Sequence, residues 1–272
     1  MADLDRMTWR QVRAAAEGGI ALLPIGSQEQ HAGHLPMGTD TLLAETVVDA
    51  AVRELGGSPE IVRLPCLPFG HSPHHLFAAA VSLSPETLLQ VLTDVLDSLV
   101  QSGFRRVLIV NGHGGNDEIM RLAVKRFALR ADVALGACSY WSLVEPADRV
   151  PGHAGWFETS LMLAAHPDLV GVPEPRPAVT PLFDRPPHPG LTVERHGEWA
   201  RAGGATDDAS DASAEAGLDL LTTRIDALVT AIRAFDDATR DSHGEPTSEV
   251  DDVRGEERAP NIVTFGTEGG AQ

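Results

Sequence analysis

The sequence has few cysteines, few basic residues and no long apolar run. Its 272 residues include two cysteines, Cys66 and Cys138, which lie far apart and outside any CxxC pair. Neither a disulfide framework nor a zinc ribbon is therefore expected, and a reduced, cytoplasmic location fits this cysteine usage best. The first nine residues lack the apolar core of a signal peptide, and no stretch is long enough to span a bilayer.

Basic residues are outnumbered by acidic ones, 21 to 39, which gives a formal net charge of -18. A field of this sign repels phosphate backbones and anionic lipid surfaces, so we expect neither nucleic acid nor a membrane as a partner. The sequence also has no GxSxG elbow and no GK[ST] phosphate loop. A serine nucleophile is thus unsupported, and a nucleotide-binding protein is a remote alternative.

Short apolar runs alternate with longer amphipathic segments, and this alternation predicts the fold. We predict strands at Ile20–Ile25, Glu60–Leu64, Arg106–Val110 and Val133–Tyr140. We predict helices at Thr39–Leu55, Ser84–Ser102, Asn116–Arg130, Trp156–Ala165 and Ala212–Thr239. Strands that alternate with helices are typical of a mainly parallel sheet covered on both faces. The sequence therefore predicts a single-domain α/β fold with three layers, α/β/α.

This domain is expected to span residues 1–240. Within it, residues 171–205 are rich in proline and glycine and are predicted to form an extended excursion or lid. Residues 241–272 are polar, acidic and rich in glycine and proline. Such a composition buries too little apolar surface to fold, so we expect a disordered tail.

Three predicted strands lead into groups of residues that can bind metal ions. These groups are Gly26–Asp40, Asn111–Asn116 and Gly152–Ser160. The carboxyl ends of the strands are the edge at which α/β folds of this kind carry their active sites. The three groups together therefore favour a metal site, although a single histidine is more often an ordinary core or surface residue.

Five side chains in these groups have the types and positions of metal ligands. Glu29 and His31 are two residues apart, so in an extended segment both point to the same side. Asp40 lies near the start of a helix, His113 lies on a glycine-flanked turn, and Glu158 begins a later helix. Carboxylates and imidazoles without thiolates suit Zn²⁺, Mn²⁺ or Fe²⁺. Five ligands exceed the needs of one tetrahedral ion, which favours two ions that share a carboxylate.

Other polar residues nearby have plainer interpretations. We predict that His34 orients a ligand or packs its loop. Asn111 and Asn116 are expected to shape their turn, whereas His71 and His75 are interpreted as ordinary loop residues.

The three groups resemble, in order, three motifs of the creatininase family of metal-dependent amidohydrolases. The first motif is represented by Leu23–His31, His34–Pro36 and Asp40–Thr41. The second is represented by Asn111–Asn116, and the third by Gly152–Gly155 with Glu158–Ser160. The resemblance covers about residues 8–235, which is most of the chain.

The resemblance implies a creatininase-like α/β fold, a homo-oligomer that is often a hexamer, and a hydrolase that cleaves a C–N bond of a small molecule. It implies two divalent ions per chain, zinc or manganese with iron as a further option, and a bridging water that they activate. Ligand positions of the family fall on Glu29, His31, Asp40 and His113. Asp40 is the implied bridge.

The implied fifth ligand differs from that of creatininase itself. Creatininase carries a glutamate two residues after the motif histidine, where this chain has Gly115. For members with the Gly-Gly-Asn form, the resemblance implies that the glutamate of a Glu-Thr-Ser triplet takes its place. In this chain that residue is Glu158, which is thereby implied as both ligand and catalytic group. The alternative is that another group is the fifth ligand. His153 matches the residue expected to give a proton to the leaving nitrogen.

The resemblance also implies substrate contacts. Tyr140 and Trp141 match an aromatic pair of creatininase, Trp156 adds a third ring, and His74 falls on a family position near the site. Residues 77–80 read Phe-Ala-Ala-Ala where the family often has Phe-Pro-Gly-Thr, so creatinine is one candidate among several. The others are a formamide, a short peptide and a ring ketone of an inositol derivative. A non-catalytic metal-binding scaffold is the alternative to an enzyme.

Overall fold

The structure, a computed structural model, describes residues 2–144, 151–177, 179–183, 187–188 and 190–240. Its strands are β1 (Ala2–Asp3), β2 (Ile20–Ile25), β3 (Ile61–Arg63), β4 (Arg106–Asn111) and β5 (Ala134–Ser139). They form one sheet in the order β1-β3-β2-β4-β5, and every neighbouring pair is parallel. β2 lies at the centre of this sheet, so its carboxyl end has neighbours on both sides.

Helices cover both faces of the sheet. In the described residues they are α1 (Trp9–Ala16), α2 (Thr39–Leu55), α3 (Pro85–Gln101), α4 (Asp117–Ala128), α5 (Trp156–Ala165), α6 (Glu198–Arg201) and α7 (Ala214–Thr239). Side chains of α2, α5 and α7 share one hydrophobic core with the sheet, and those of α1, α3 and α4 share the other. The predicted three-layer α/β/α fold with a parallel central sheet is confirmed.

The central strands contribute side chains to both hydrophobic cores, because successive side chains of a strand point to opposite faces of the sheet. In β2, Ile20 and Leu22 lie in the core with α2, whereas Ala21, Leu23 and Ile25 lie in the core with α3. All six residues of β2 are buried. A strand covered on both faces is apolar throughout, which is why it appears in the sequence as a continuous apolar run.

Helix boundaries follow the signals of the sequence. α2 and α5 have the predicted bounds, and Ser84 caps α3 by accepting a 3.2 Å hydrogen bond from the backbone N–H of Thr87. β2 also has its predicted bounds, and the remaining predicted elements differ from the observed ones by one or two residues at an end. β1 and α1 are additional elements. Thr8 and Gln11 form a capping box at α1, and this Thr-x-x-Gln pattern is the sequence signal for that helix.

Among the described helices, none combines the length and apolar character that a membrane crossing requires. Within the described part of residues 171–205, which were predicted as an excursion or lid, the only helix is the short α6 near the carboxyl end. The predicted tail at 241–272 lies outside the described residues.

A buried ion pair joins the start of β4 to the end of α7. Arg106 Nη1 lies 2.6 Å from Asp236 Oδ1, and both residues are buried.

Asp236→Asn would leave the guanidinium buried beside a neutral group, so we expect it to lower the free energy of unfolding by about 3 kcal/mol. Chemical denaturation monitored by circular dichroism would measure this loss. The matched control is Asp237→Asn, which alters an exposed neighbour and should change stability by less than about 0.5 kcal/mol. Equal losses in both variants would contradict a stabilising role for the pair.

Candidate metal centre

The candidate centre lies at the carboxyl ends of β2 and β4, the two central strands. The segment after β2 carries Glu29 and His31, and Asp40 is the second residue of α2. His113 follows β4, and Glu158 lies in the first turn of α5. The structure thus brings together all five side chains that the sequence marks as candidate ligands.

Their donor atoms form two groups that share Asp40. The first group is Glu29, Asp40 and His113, and the second is His31, Asp40 and Glu158; within each group the donor atoms lie within 4.8 Å of one another. Asp40 Oδ2 lies 3.2 Å from His113 Nδ1, and Asp40 Oδ1 lies 3.2 Å from His31 Nε2. Each carboxylate oxygen of Asp40 therefore faces a different group.

Three carboxylate oxygens of this cluster, on Glu29 and Asp40, are buried without a hydrogen bond. Glu29 and Asp40 are at most 2% exposed, yet both oxygens of Glu29 and Oδ2 of Asp40 have no partner with hydrogen-bond geometry. A buried carboxylate that accepts no hydrogen bond is costly unless a positive charge, from a bound cation or a protonated histidine, lies beside it. The donor set, oxygen and imidazole nitrogen without thiolate, fits divalent ions such as zinc and manganese.

Backbone carbonyls fix which nitrogen each candidate histidine presents to the cluster. His31 Nδ1 donates to the carbonyl of Glu29 at 3.1 Å, so Nε2 faces Asp40. His113 Nε2 donates to the carbonyl of His71 at 3.0 Å and lies 3.2 Å from Ser72 Oγ, so Nδ1 faces the cluster. Contacts of this kind orient metal ligands in known sites.

The charges of the cluster shift the pKa values of its members. Burial opposes the charged form of His31, but the nearby carboxylates of Asp40 and Glu158 outweigh it and raise the pKa of His31 to about 10. Burial likewise opposes ionisation of His113, and Glu29 and Asp40 raise its pKa well above the usual value. Burial disfavours the Glu29 carboxylate, yet contacts with His113 hold its pKa well below the usual value.

The pKa values of a second carboxylate and two further histidines in the site shift in the opposite direction. Burial, reinforced by repulsion from Asp40, raises the pKa of Glu158 to about 7, although His31 opposes this. Burial and the charge of His31 lower the pKa of His153 well below the usual value. Burial also lowers the pKa of His74 to about 4.

His153 lies against the first group of candidate ligands. Its Nδ1 is 3.3 Å from Glu29 Oε1, and its Nε2 donates to the carbonyl of Gln30 at 2.8 Å. The backbone N–H of His153 donates to Thr206 Oγ1 at 2.8 Å, which fixes the residue from the opposite side. A neutral His153 therefore presents the lone pair of Nδ1 to the cluster.

A cavity of 710 Å³ opens onto the cluster. Glu29, Asp40, His113, His153 and Glu158 line it. Its aromatic lining consists of Trp141, Phe157, Phe183 and Trp199, together with His71, His74 and His75. Four of the five candidate ligands are thus at the cavity wall, whereas His31 is fully buried behind it.

The four predicted substrate contacts do not share one location. His74 and Trp141 line the cavity, whereas Tyr140 and Trp156 are not among the described residues that line it. Tyr140 is 1% exposed and lies in the core beneath α5, because its apolar ring packs with the side chains of α7. Trp156 is partly buried against the same core, and its backbone N–H donates to Asp207. The structure therefore places Tyr140 in the core and Trp156 at its edge, and it brings only His74 and Trp141 of the four to the cavity.

His75 is a second correction, since it is not an ordinary loop residue. It is 1% exposed, its Nδ1 accepts a 2.8 Å hydrogen bond from Gln30 Nε2, and its Nε2 lies 3.3 Å from Glu29 Oε1. Its ring stacks on that of His153 at a centroid distance of 4.2 Å. The only feature of the sequence near His75 that could have indicated a site residue is the His-His pair in a short turn.

Trp199 was also missed, because nothing near it in the sequence links the 171–205 excursion to the site.

The polar residues around the second motif hold the turn. Asn111 accepts from the N–H of His113 and donates to its carbonyl, and Asn116 donates to the carbonyl of Gly26. His34 Nε2 lies 2.8 Å from Thr159 Oγ1, next to Glu158 in sequence.

Gly115 is required by close packing in this turn. A Cβ atom at this position would lie 2.2 Å from the carbonyl oxygen of His71 and 2.5 Å from His113 Nε2. No side chain fits there unless the backbone of His71 moves, so position 115 cannot supply a carboxylate to this centre.

The fold and the site define a class: an α/β/α protein whose parallel sheet carries a buried cluster of carboxylates and histidines suited to divalent ions. Residues 5–232 match the Creatininase family, described as creatinine amidohydrolase. The chain belongs to the creatininase family, as the three motifs indicated, and is a hydrolase of that family.

Relatives of the chain include enzymes with different substrates. Creatinine amidohydrolase of Pseudomonas putida is 30% identical over 260 residues, which cover 85% of this chain and 95% of the relative. The mycofactocin precursor peptide peptidase of Mycobacterium ulcerans (strain Agy99) is 37% identical over 155 residues, which cover 55% of this chain and 59% of the relative. A crystal structure of creatinine amidohydrolase matches with a TM-score of 0.70 at 28% identity, covering 86% of this chain and 98% of that one. Other solved creatininases include a manganese form and a Zn–Zn type.

Proposed function

We propose that this protein is a binuclear metal-dependent hydrolase that cleaves a C–N bond of a small molecule. The observation that carries the proposal is the position of Asp40, whose two oxygens each lie 3.2 Å from a histidine of a different ligand group. A carboxylate in this position can bridge two ions. Glu29 and His113 would complete one ion's ligands, and His31 and Glu158 the other's.

Zinc or manganese suits these ligands, with iron as a further option, and both zinc and manganese forms occur among the solved relatives. When bound, such ions supply Lewis acidity and make a water acidic enough to act as a nucleophile near neutral pH. The raised pKa values of His31 and His113 mean that ions must displace protons from both rings, so metal binding releases protons.

The chain's own residues would carry the proton to the leaving nitrogen. His153 lines the cavity and presents Nδ1 to it, while its Nε2 proton is held by the carbonyl of Gln30. Because its pKa is held low, His153 gives up an acquired proton readily, as a general acid must. The surrounding Trp141, Phe157 and Trp199 limit access of water to this proton.

An amide, lactam or formamide is the proposed substrate class, and creatinine is its first candidate because the relative from Pseudomonas putida covers most of the chain. Short-peptide hydrolysis is the second candidate, because the peptidase relative has the higher identity, 37%, over the part that it matches. From the family resemblance we also propose a cytoplasmic homo-oligomer, with a hexamer as the expected form.

Metal content measured on protein purified without chelator or affinity tag tests the proposal. We expect about two equivalents per chain in the wild type. Glu158→Gln should keep about one equivalent, since the group of Glu29, Asp40 and His113 is left intact. The matched control Glu60→Gln alters an exposed carboxylate and should keep two. Less than one equivalent in the wild type after addition of Zn²⁺ or Mn²⁺ would overturn the proposal.

A substrate panel then tests the reaction class on metal-loaded protein. It contains creatinine, an N-formyl amine and a set of dipeptides, and release of the amine or ring opening is measured. Cleavage of any member supports the hydrolase. Full metal content without cleavage of any of them would favour the non-catalytic scaffold.

A further inference from the structure

Trp199 lies over the histidines of the candidate centre. Its ring centroid is 4.6 Å from that of His75, 5.1 Å from that of His74 and 5.4 Å from that of His153. The indole is nearly perpendicular to His153, with an interplanar angle of 87°. Phe183 stacks on the indole at 4.2 Å. One short helix thus places a large aromatic side chain beside three rings of the site.

Glu198, the neighbour of Trp199, fixes this helix to the surrounding excursion. Its carboxylate is 3% exposed and accepts hydrogen bonds from the backbone N–H of Leu182 at 2.6 Å and from Arg195 Nε at 2.8 Å. Arg201 also donates to it. The bond to Leu182 holds the segment that carries Phe183 next to the helix that carries Trp199.

The chain after α6 is fixed to the site itself. Gln30 Nε2 donates to the carbonyl of Gly204 at 3.0 Å, and the backbone N–H of Thr206 donates to the carbonyl of His153 at 2.9 Å. Gln30 is the residue that also holds His75 and His153. Trp199 therefore has a fixed position relative to the candidate proton carrier.

We propose that Trp199 is the substrate-facing aromatic wall of this site and that Glu198 is the positioning residue that holds it there. This inference rests on the proposed function, and it narrows the substrate to molecules with a planar group beside the scissile C–N bond. Aromatic walls favour planar groups through stacking and edge-to-face contacts, and this wall lies beside the ring that delivers the proton. A ring lactam presents one rigid flat surface to such a wall, whereas a flexible dipeptide presents only its peptide plane.

Tryptophan fluorescence during titration of metal-stripped protein with Co²⁺ tests the placement of Trp199. The chain has four tryptophans, and Co²⁺ quenches the nearest of them most strongly. Trp141 lines the same cavity, so we expect Trp199→Phe to lose the share of the quenching that belongs to Trp199, while metal content stays at the wild-type level. Trp9→Phe, which alters a tryptophan that is 66% exposed on α1, should retain it. Wild-type quenching in Trp199→Phe would overturn the placement.

Acrylamide quenching tests the role of Glu198 without any metal. Glu198→Gln weakens the charged hydrogen bonds to Arg195 and Arg201, so Trp199 should become more accessible and the quenching constant should rise. Glu60→Gln is the matched control and should leave the constant unchanged. Trp199→Phe should abolish the effect of Glu198→Gln. An unchanged constant in Glu198→Gln would contradict the positioning role.

Steady-state kinetics with the fastest-cleaved member of the amide panel tests the wall itself. Trp199→Ala should raise KM by about tenfold with a smaller change in kcat, and Trp199→Phe should recover most of the loss. An unchanged KM in Trp199→Ala, or a dipeptide as the fastest substrate, would overturn the substrate-facing role. Absence of metal binding and cleavage in the wild type would overturn the proposed function instead, while the acrylamide measurement would still decide the position of Trp199.

Discussion

Asp40→Asn should remove both metal ions from the centre and abolish hydrolysis. The amide keeps the size of the side chain but loses its charge, and one of its two oxygens becomes an NH₂ group that cannot bind a cation. Because each oxygen of Asp40 faces a different ligand group, one substitution weakens both groups. We expect metal content to fall from about two equivalents to well below one. Activity should fall by more than about a thousandfold, because bound ions supply several kcal/mol of transition-state stabilisation.

The control for this variant lies on the same helix. Asp49 also belongs to α2, but it is paired at 3.0 Å with Arg63, the last residue of β3, and does not line the cavity. Asp49→Asn should therefore keep metal and activity. Elemental analysis and the amide panel measure both quantities, and circular dichroism checks that the variants are folded. Retention of two ions by Asp40→Asn would rule out the bridging role.

His153→Ala should keep its metal ions and lose turnover by about 10²- to 10⁴-fold, the range for removal of a general acid or base. The five candidate ligands remain in place, and the role assigned to His153 is to carry a proton rather than to hold an ion. The loss should appear in kcat and in kcat/KM alike, because the proton is needed in the transition state. Rapid kinetics and elemental analysis of the same sample separate the two roles.

His196→Ala provides the comparison, since His196 is exposed on the excursion and does not line the cavity. His196→Ala should have the metal content and the turnover of the wild type.

The alternative to be tested is that His153 is itself a metal ligand, because one of its ring nitrogens lies within 4.8 Å of donor atoms of Glu29 and His31. Loss of one metal equivalent in His153→Ala would favour that alternative and contradict the proton carrier.

The architecture was predictable because local and long-range signals agree in this chain. Arg106–Val110 is a β-branched apolar run, and it forms a central strand that is buried on both faces. Ser84 and Pro85 mark the start of α3, and the structure has the helix there. β1 was not predictable, because two residues carry no periodicity and its pairing with β3 joins positions about sixty residues apart.

The candidate ligands were predictable for a different reason. Glu29, His31 and Asp40 are neighbours in sequence, and His113 follows the strand that pairs with theirs, so spacing and strand order alone place them together. The cavity wall depends instead on how an irregular segment returns to the sheet. Trp199 reaches the site through the ion pairs of Glu198 and the contact of Gly204 with Gln30. No period or spacing in the sequence encodes contacts of that kind.

Gly115 limits the routes by which this centre could be redesigned or could have diverged. The motif resemblance implies a glutamate of creatininase at the equivalent of position 115, whereas here the carbonyl of His71 occupies the space that its Cβ would need. Gly115→Glu alone would displace His113 before it could add a ligand. A carboxylate at position 115 therefore requires a backbone rearrangement of the His71 loop as well, so a single substitution cannot transfer the role proposed for Glu158 to that position.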